Sequence, residues 1–469
     1  MIRSKGNPSL NDLNFAWYGQ RTFDCFGLEK YLNIDLIMSC DFGLDTPLLL
    51  KRSASSIYSV EEKTFTRENW TSAFLDKIIE ADKKLIIEKI KSQSKPTHII
   101  AYSATRTLTD LASHLPEKIR LIMPSYELKA WLDNKLTFRK ILSSLGLSTM
   151  PSFTGRLGSI NFHEAKDLLG LPFVINLEYG SAGSGTFFIH SESEFENLSK
   201  EFYGGMVLIS KYIDSISLNI NGAIIGENVV VANPSIQLLG FPECTNRPEV
   251  YCGNDFSATL QLPSDVLKKA DESVRIIGRW LRSLGYQGMF GVDLLTDLRD
   301  DSVYPVDLNP RYQNSTHLLT MMEIAYGLKP LSLISLEGQL GLLQDNKSVI
   351  YDSVNLYGSQ IILHSLENSD TIVRNALAPG VYAIESDEKI IKKKDGLSLL
   401  DLEEGHEEFV ISCGIPRIGT TVKPGAPLLK IFMLKSVLTV GTRFLDDTIR
   451  KLCTQVYKQL MLEPVSKGN

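Results

Sequence analysis

Two short segments constrain this chain more than any other stretch: FGVDLL (Phe290–Leu295) and VYPVDLNPR (Val303–Arg311). Both are apolar enough to be buried strands, and the intervening TDLRDDS has turn chemistry, so an antiparallel hairpin is expected. Side chains alternate across a strand, which puts Asp307 and Asn309 on one face, and Arg311 with them if the strand continues. Asp293 on the partner strand can converge on that face. Two carboxylates and an amide oxygen are few, hard donors, the set that suits Mg²⁺ shared with phosphate groups. Two such acids repel unless a cation lies between them. A solvated hairpin face with incidental acids is the competing reading, and the simpler one for either Asp alone.

A second feature is EYGSAGSGT, Glu178–Thr186, directly after a strand-like run. Glycines let backbone N–H groups close on an anion. Gly180, Ser181, Gly183, Ser184 and Gly185 are the candidate contacts, although a Gly/Ser turn can equally just connect two strands. It is not a P-loop, since no GK[ST] follows. Lys135 and Lys211 are placed to reach a triphosphate, or are plain surface lysines; between Lys166 and Lys200 there is no lysine at all.

The rest of the chain frames these features. YLNIDLIMS, THIIAYS and IRLIM read as strands and RTLTDLASHL as a helix, an α/β domain with a parallel sheet over residues 1–125 that carries no GxGxxG. Residues 126–340 form the core, starting with a helix in DNKLTFRKILSSLGL and holding single strands at MVLISKYI and SLNINGAIIGENVVVAN. An irregular loop is expected over 234–255. A helix then runs from an N-cap at Ser264 to a stop at Gly285, and another covers THLLTMMEIAYG. Residues 345–469 read as a small β-rich domain ending in a helix. A net charge of −6 argues against broad attraction to nucleic acid. Six cysteines without a CxxC argue against a zinc site or a disulfide framework. The first fifteen residues lack a signal-peptide core. No apolar run approaches the ~20 residues that span a bilayer, so a cytoplasmic protein is expected, with no nucleic-acid or membrane partner.

The order of glycine-rich turn, Asp on a strand and DLNPR on the next strand resembles the ATP-grasp superfamily over roughly residues 95–335. The resemblance implies a mixed α/β and α+β architecture. Its parts would be an N-terminal parallel-sheet domain, an ATP-grasp core with a lid at about 140–210 and a small β-rich C-terminal domain. It implies an ATP-dependent ligase that activates a carboxylate as an acyl phosphate for attack by an amine. The cofactors would be ATP and Mg²⁺, with Mn²⁺ as a substitute; the partners would be small carboxylates and amines, with a homodimer allowed.

By the same resemblance Asp293, Asp307 and Asn309 hold the metal, and Arg311 acts with Asn309 at the transferred phosphoryl group. Lys135, Asn176, Lys211, the backbone of Tyr212 and Ile213, and the glycine turn bind ATP. Gln313 and Arg247 face the substrate. The chain departs from the pattern at Asn176, where lysine is usual, at Ser210, where an acid is usual, and in using Asp for both metal acids. Biotin-carboxylase-like bicarbonate activation, or a non-catalytic nucleotide-binding regulator, are the alternatives.

Overall fold

A computed structural model describes residues 9–53, 56–71, 74–180, 185–343, 349, 351, 354–385, 389–403, 405 and 407–465. The N-terminal part is a five-stranded, all-parallel sheet in the order Ser56–Ser59, Ile34–Ser39, Asn14–Gly19, Thr97–Ala101, Ile119–Ile122. Its central strand, NFAWYG, was not anticipated, although Phe15, Ala16, Trp17 and Tyr18 are completely buried. One face packs under the helices Leu75–Ser92 and Arg106–His114. The other, through Phe15, Trp17 and Ile100, shares a core with the helix Thr316–Ala325.

An antiparallel four-stranded sheet, Ser152–Arg156, Met206–Lys211, Phe173–Leu177, Thr186–Ile189, has its own small core of Leu157, Phe162, Phe173, Ile175, Phe195 and Val207. The third sheet has ten antiparallel strands and begins at its edge with Val303–Asn309 beside Gly288–Asp297. That edge position explains Pro305: a residue without an N–H is tolerated where one side of the strand has no neighbour.

Several local expectations are corrected. SLNINGAIIGENVVVAN is two strands, Ser215–Ile225 and Asn228–Leu239, because the Gly226–Glu227 turn, with Gly226 at φ +56°, reverses the chain. The 234–255 segment is not all loop: it ends in the strand Tyr251–Asp255, leaving 240–250 irregular. The long helix is Ser264–Ser283 with Pro263, not Ser264, at the N-cap, and Gly285 follows at φ +78°.

The strands of the C-terminal part continue the core sheet. Tyr251–Asp255 pairs with Ser359–His364, and Pro427–Met433, Glu408–Ser412, Gly380–Ile384 and Ile390–Lys394 follow in order. The seam depends on Gly253, at φ +137°, where a Cβ would collide with the Gln360 carbonyl. A second tie is Arg67, buried against Glu61, which donates to Oε1 from Nη2 at 2.8 Å and to the Leu428 carbonyl at 3.1 Å. No helix among the described residues is long and apolar enough to cross a membrane.

Candidate active site

Asp293 and Asp307 stand directly opposite each other across the antiparallel pair. The register slips just beyond, with Leu294 opposite Pro305, so Val306 is the extra residue of a bulge. Like charges facing across a strand pair repel, and the surrounding groups offset this. The Lys135 ammonium lies 2.7 Å from Asp307 Oδ1. Asp293 Oδ1 accepts from Asn219 Nδ2 at 2.6 Å and Gln237 Nε2 at 3.0 Å, and its Oδ2 accepts from Asn309 Nδ2 at 3.3 Å. Burial first, and the Asp307 charge second, push the Asp293 carboxyl up to about 6. The arrangement gathers negative charge and, in this state, balances part of it with a lysine.

Arg311 donates from Nη2 to Asn309 Oδ1 at 2.6 Å and from Nη1 to the Tyr312 carbonyl at 3.1 Å and to the Tyr102 hydroxyl at 3.4 Å. Its guanidinium sits 5.6 Å from the Tyr102 ring centroid. Tyr102 follows the strand Thr97–Ala101, so the N-terminal sheet helps aim this arginine. Gln313 is buried, and its amide fills the space above Gly291, where a Cβ would collide with it.

Lys135 is the first residue of the helix Lys135–Ser144. Asn134 caps this helix by accepting from Thr137 N at 2.9 Å. Lys135 N donates to the Glu178 carbonyl at 2.9 Å, which ties the helix start to the base of the glycine-rich turn. Leu177 N donates to the Gly185 carbonyl at 2.8 Å and closes the other side of that turn. Ser181, Gly183 and Ser184 lie outside the described residues. Asn176 Nδ2 donates to Thr186 Oγ1 at 2.9 Å.

Lys135, Asn176, Gly180, Lys211, Tyr212, Ile213, Asp293, Asp307, Asn309, Arg311 and Gln313 all line one cavity of about 640 Å³. That volume is typical of a small-molecule or cofactor site. Gly185 stands at the turn without being among the lining residues. Arg247 is not brought to the wall: its Nε donates to Glu249 Oε1 at 2.7 Å, and it is Glu249 that faces the cavity. A near neighbour in sequence takes up the guanidinium before a substrate can.

Sequence reasoning missed the residues that hold the acids in place. Ser315 Oγ donates to Asn219 Oδ1 at 2.6 Å, and Asn221 Nδ2 donates to Ser315 Oγ at 2.9 Å. The available signal was the alternating Asn219 and Asn221 in a buried strand, since buried amides need designated partners. Arg21, Tyr102 and Arg139 also line the cavity and were not singled out.

Two carboxylates beside one amide suit a hard divalent cation whose remaining ligands come from phosphate oxygens and water. The lysine ammonium already seated on Asp307 shows the preference of that carboxylate for a positive partner. Among the described residues no group of three or more His, Cys, Asp or Glu gathers a metal by itself.

This geometry agrees with the sequence comparison: residues 132–315 match the model of the ATP-grasp domain. Among individual relatives, it is 22% identical over 238 residues to the [Butirosin acyl-carrier protein]--L-glutamate ligase of Niallia circulans, covering 48% of this chain and 53% of that protein. It is 24% identical over 233 residues to the carbamoyl phosphate synthase large chain of Thermotoga neapolitana, covering 48% of this chain and 20% of that protein. The chain thus spans about half of the first relative and a fifth of the second. Its fold is similar to biotin carboxylase from Campylobacter jejuni, with a TM-score of 0.58 and 14% identity over 96% of this chain and 92% of that one. It is also similar to N5-carboxyaminoimidazole synthetase from Staphylococcus aureus, with a TM-score of 0.54 and 13% identity over 96% and 99%.

Proposed function

We propose that the protein is an ATP-dependent, ADP-forming ligase that phosphorylates a small carboxylate and passes the acyl group to an amine. The observation that carries this reading is the pair Asp293 and Asp307, opposed in register, with Asn309 and Arg311 beside them at the wall of the cavity. Around such a site the nucleotide polyphosphate is the chemically matched ligand, and Mg²⁺, when bound, would supply charge neutralisation on the phosphate oxygens. Asp293, Asp307 and Asn309 would hold that ion. Arg311, kept in place by Asn309, Tyr312 and Tyr102, would neutralise charge on the transferred phosphoryl group and then on the tetrahedral oxyanion formed by the amine.

A carboxylate is a poor acyl donor because its leaving group would be oxide, and phosphorylation replaces that with phosphate. Backbone groups of Tyr212 and Ile213 would read the base. The cavity volume fits a nucleotide together with small co-substrates, and a reaction that consumes ATP suits a cytoplasmic protein.

The test is a screen for ADP and phosphate release with Mg²⁺ and ATP across amino acids, small acids and amines. Arg311→Ala is expected to lower release at least 100-fold, the usual scale for losing one positioned transition-state donor of roughly 10²–10³. Undiminished release in this variant, with the fold retained, rules out the assignment.

A further inference from the structure

Arg139 lies one helical turn beyond Lys135 on the helix Lys135–Ser144. Residues four apart on a helix share a face and are about 6 Å apart along the axis. Its residue exposure is 7%, yet it lines the cavity, and its Nη1 has no hydrogen-bond partner. Among the described residues no carboxylate pairs with it. Burial alone accounts for its lowered proton affinity, to about 10. The same cavity wall carries the apolar Met150, Val174 and Leu208. Ser210 adds a second orphan, a buried Oγ without a partner. A buried, unpaired guanidinium is strongly unfavourable unless an anion joins it.

The opposite strand offers no cation to do the same work. Asn176 is the polar residue that the strand Phe173–Leu177 turns to the cavity; it is uncharged, and its amide is engaged by Thr186. On the helix itself two cavity-lining cations follow each other from the metal carboxylates: Lys135 at Asp307, then Arg139 one turn on. That separation along the helix lets the two cations serve different phosphates of one polyphosphate.

We propose that Arg139 binds the α-phosphate of the nucleotide and supplies the charge that Asn176 lacks, with Ser210 as a neighbouring donor. This rests on the nucleotide reading above. Lys135 serves the phosphates at the metal end and Arg139 the one next to the base. Nη1 of the guanidinium is left unpaired at the cavity, so that its charge is available to a ligand that enters the cleft.

The test compares adenosine, AMP and ADP binding to the full-length protein by calorimetry, with Arg139→Met and Arg139→Lys variants. The wild type is expected to bind AMP at least tenfold more tightly than adenosine. Arg139→Met should bring that ratio within twofold while adenosine affinity holds, and Arg139→Lys should retain part of it. The ligand-free Arg139→Met protein should melt no lower than the wild type, because it loses an unpaired buried charge. A lower melting temperature, or AMP affinity unchanged in Arg139→Met, overturns the role of Arg139 and leaves the nucleotide reading standing. A wild type that binds neither AMP nor ADP overturns both.

Discussion

Replacing Asp307 by Asn separates a nucleotide–metal site from an incidental acidic hairpin without needing the substrate. The change keeps the shape of the side chain and removes one of the two opposed charges. In the ligand-free protein two effects oppose each other: Asp293 loses a repelling neighbour, and Lys135 loses the partner at 2.7 Å. Ligand-free stability is therefore expected to change little. In the presence of MgADP the effect is one-sided. A hydrogen bond or ligation by a charged group is worth about 1.5–3 kcal/mol, which corresponds to a loss of roughly 10–100-fold in affinity.

With MgADP at about 100 times its wild-type Kd, the ligand stabilises the wild type by about 2.7 kcal/mol. For a variant bound 100-fold more weakly the same concentration contributes only about 0.4 kcal/mol. Thermal melts with and without MgADP, repeated with EDTA, read this difference directly. Stabilisation of Asp307→Asn equal to that of the wild type, or wild-type stabilisation that EDTA leaves intact, refutes the metal assignment.

Two other substitutions probe the frame around the site. Arg67→Met strands the fully buried Glu61 without its counter-charge and removes the tie to the Leu428 carbonyl, so urea unfolding should show a loss of about 3–5 kcal/mol. Glu323 is held by the Tyr351 hydroxyl at 2.6 Å and Leu331 N at 3.1 Å, and burial pushes its carboxyl from 4.5 up to about 8. The folded state therefore keeps a proton that the unfolded chain has lost between those values. Stability should fall as pH rises from 4.5 to 8, by at most about 1.4 kcal/mol per pH unit from this group, and level off above. Glu323→Gln should flatten that window in denaturation curves taken across it; an unchanged slope refutes the assignment to Glu323.

Much of the candidate site could be read locally. Alternation along a strand is enough to put Asp307 and Asn309 on one face, and turn residues between two apolar runs are enough to bring Asp293 opposite; Arg311 lies beyond the strand end at Asn309 and reaches the site through its bond to Asn309 Oδ1. Arg247 shows where that logic ends: a loop arginine chosen for its charge went to Glu249, two residues on, because nothing in the sequence tells which nearby acid takes it. Arg139 shows the converse. In the sequence it is one more basic residue on an amphipathic helix, and only the packing of that helix under the strand Met206–Lys211 buries it without a partner.

By itself, then, the sequence determined the acid–amide hairpin and the course of the helices Ser264–Ser283 and Thr316–Ala325. These depend on hydrogen bonds and side-chain periodicity within some twenty residues. Only the tertiary structure decided that Lys135 sits on Asp307, that Asn219 grips Asp293 across 74 residues, that Tyr102 aims Arg311 across 209, and that the C-terminal strands prolong the core sheet at Gly253. Each of those contacts closes a long loop, whose entropic cost is met by the buried core as a whole. No short stretch of residues carries that information, because the partner that makes the contact favourable lies elsewhere in the chain.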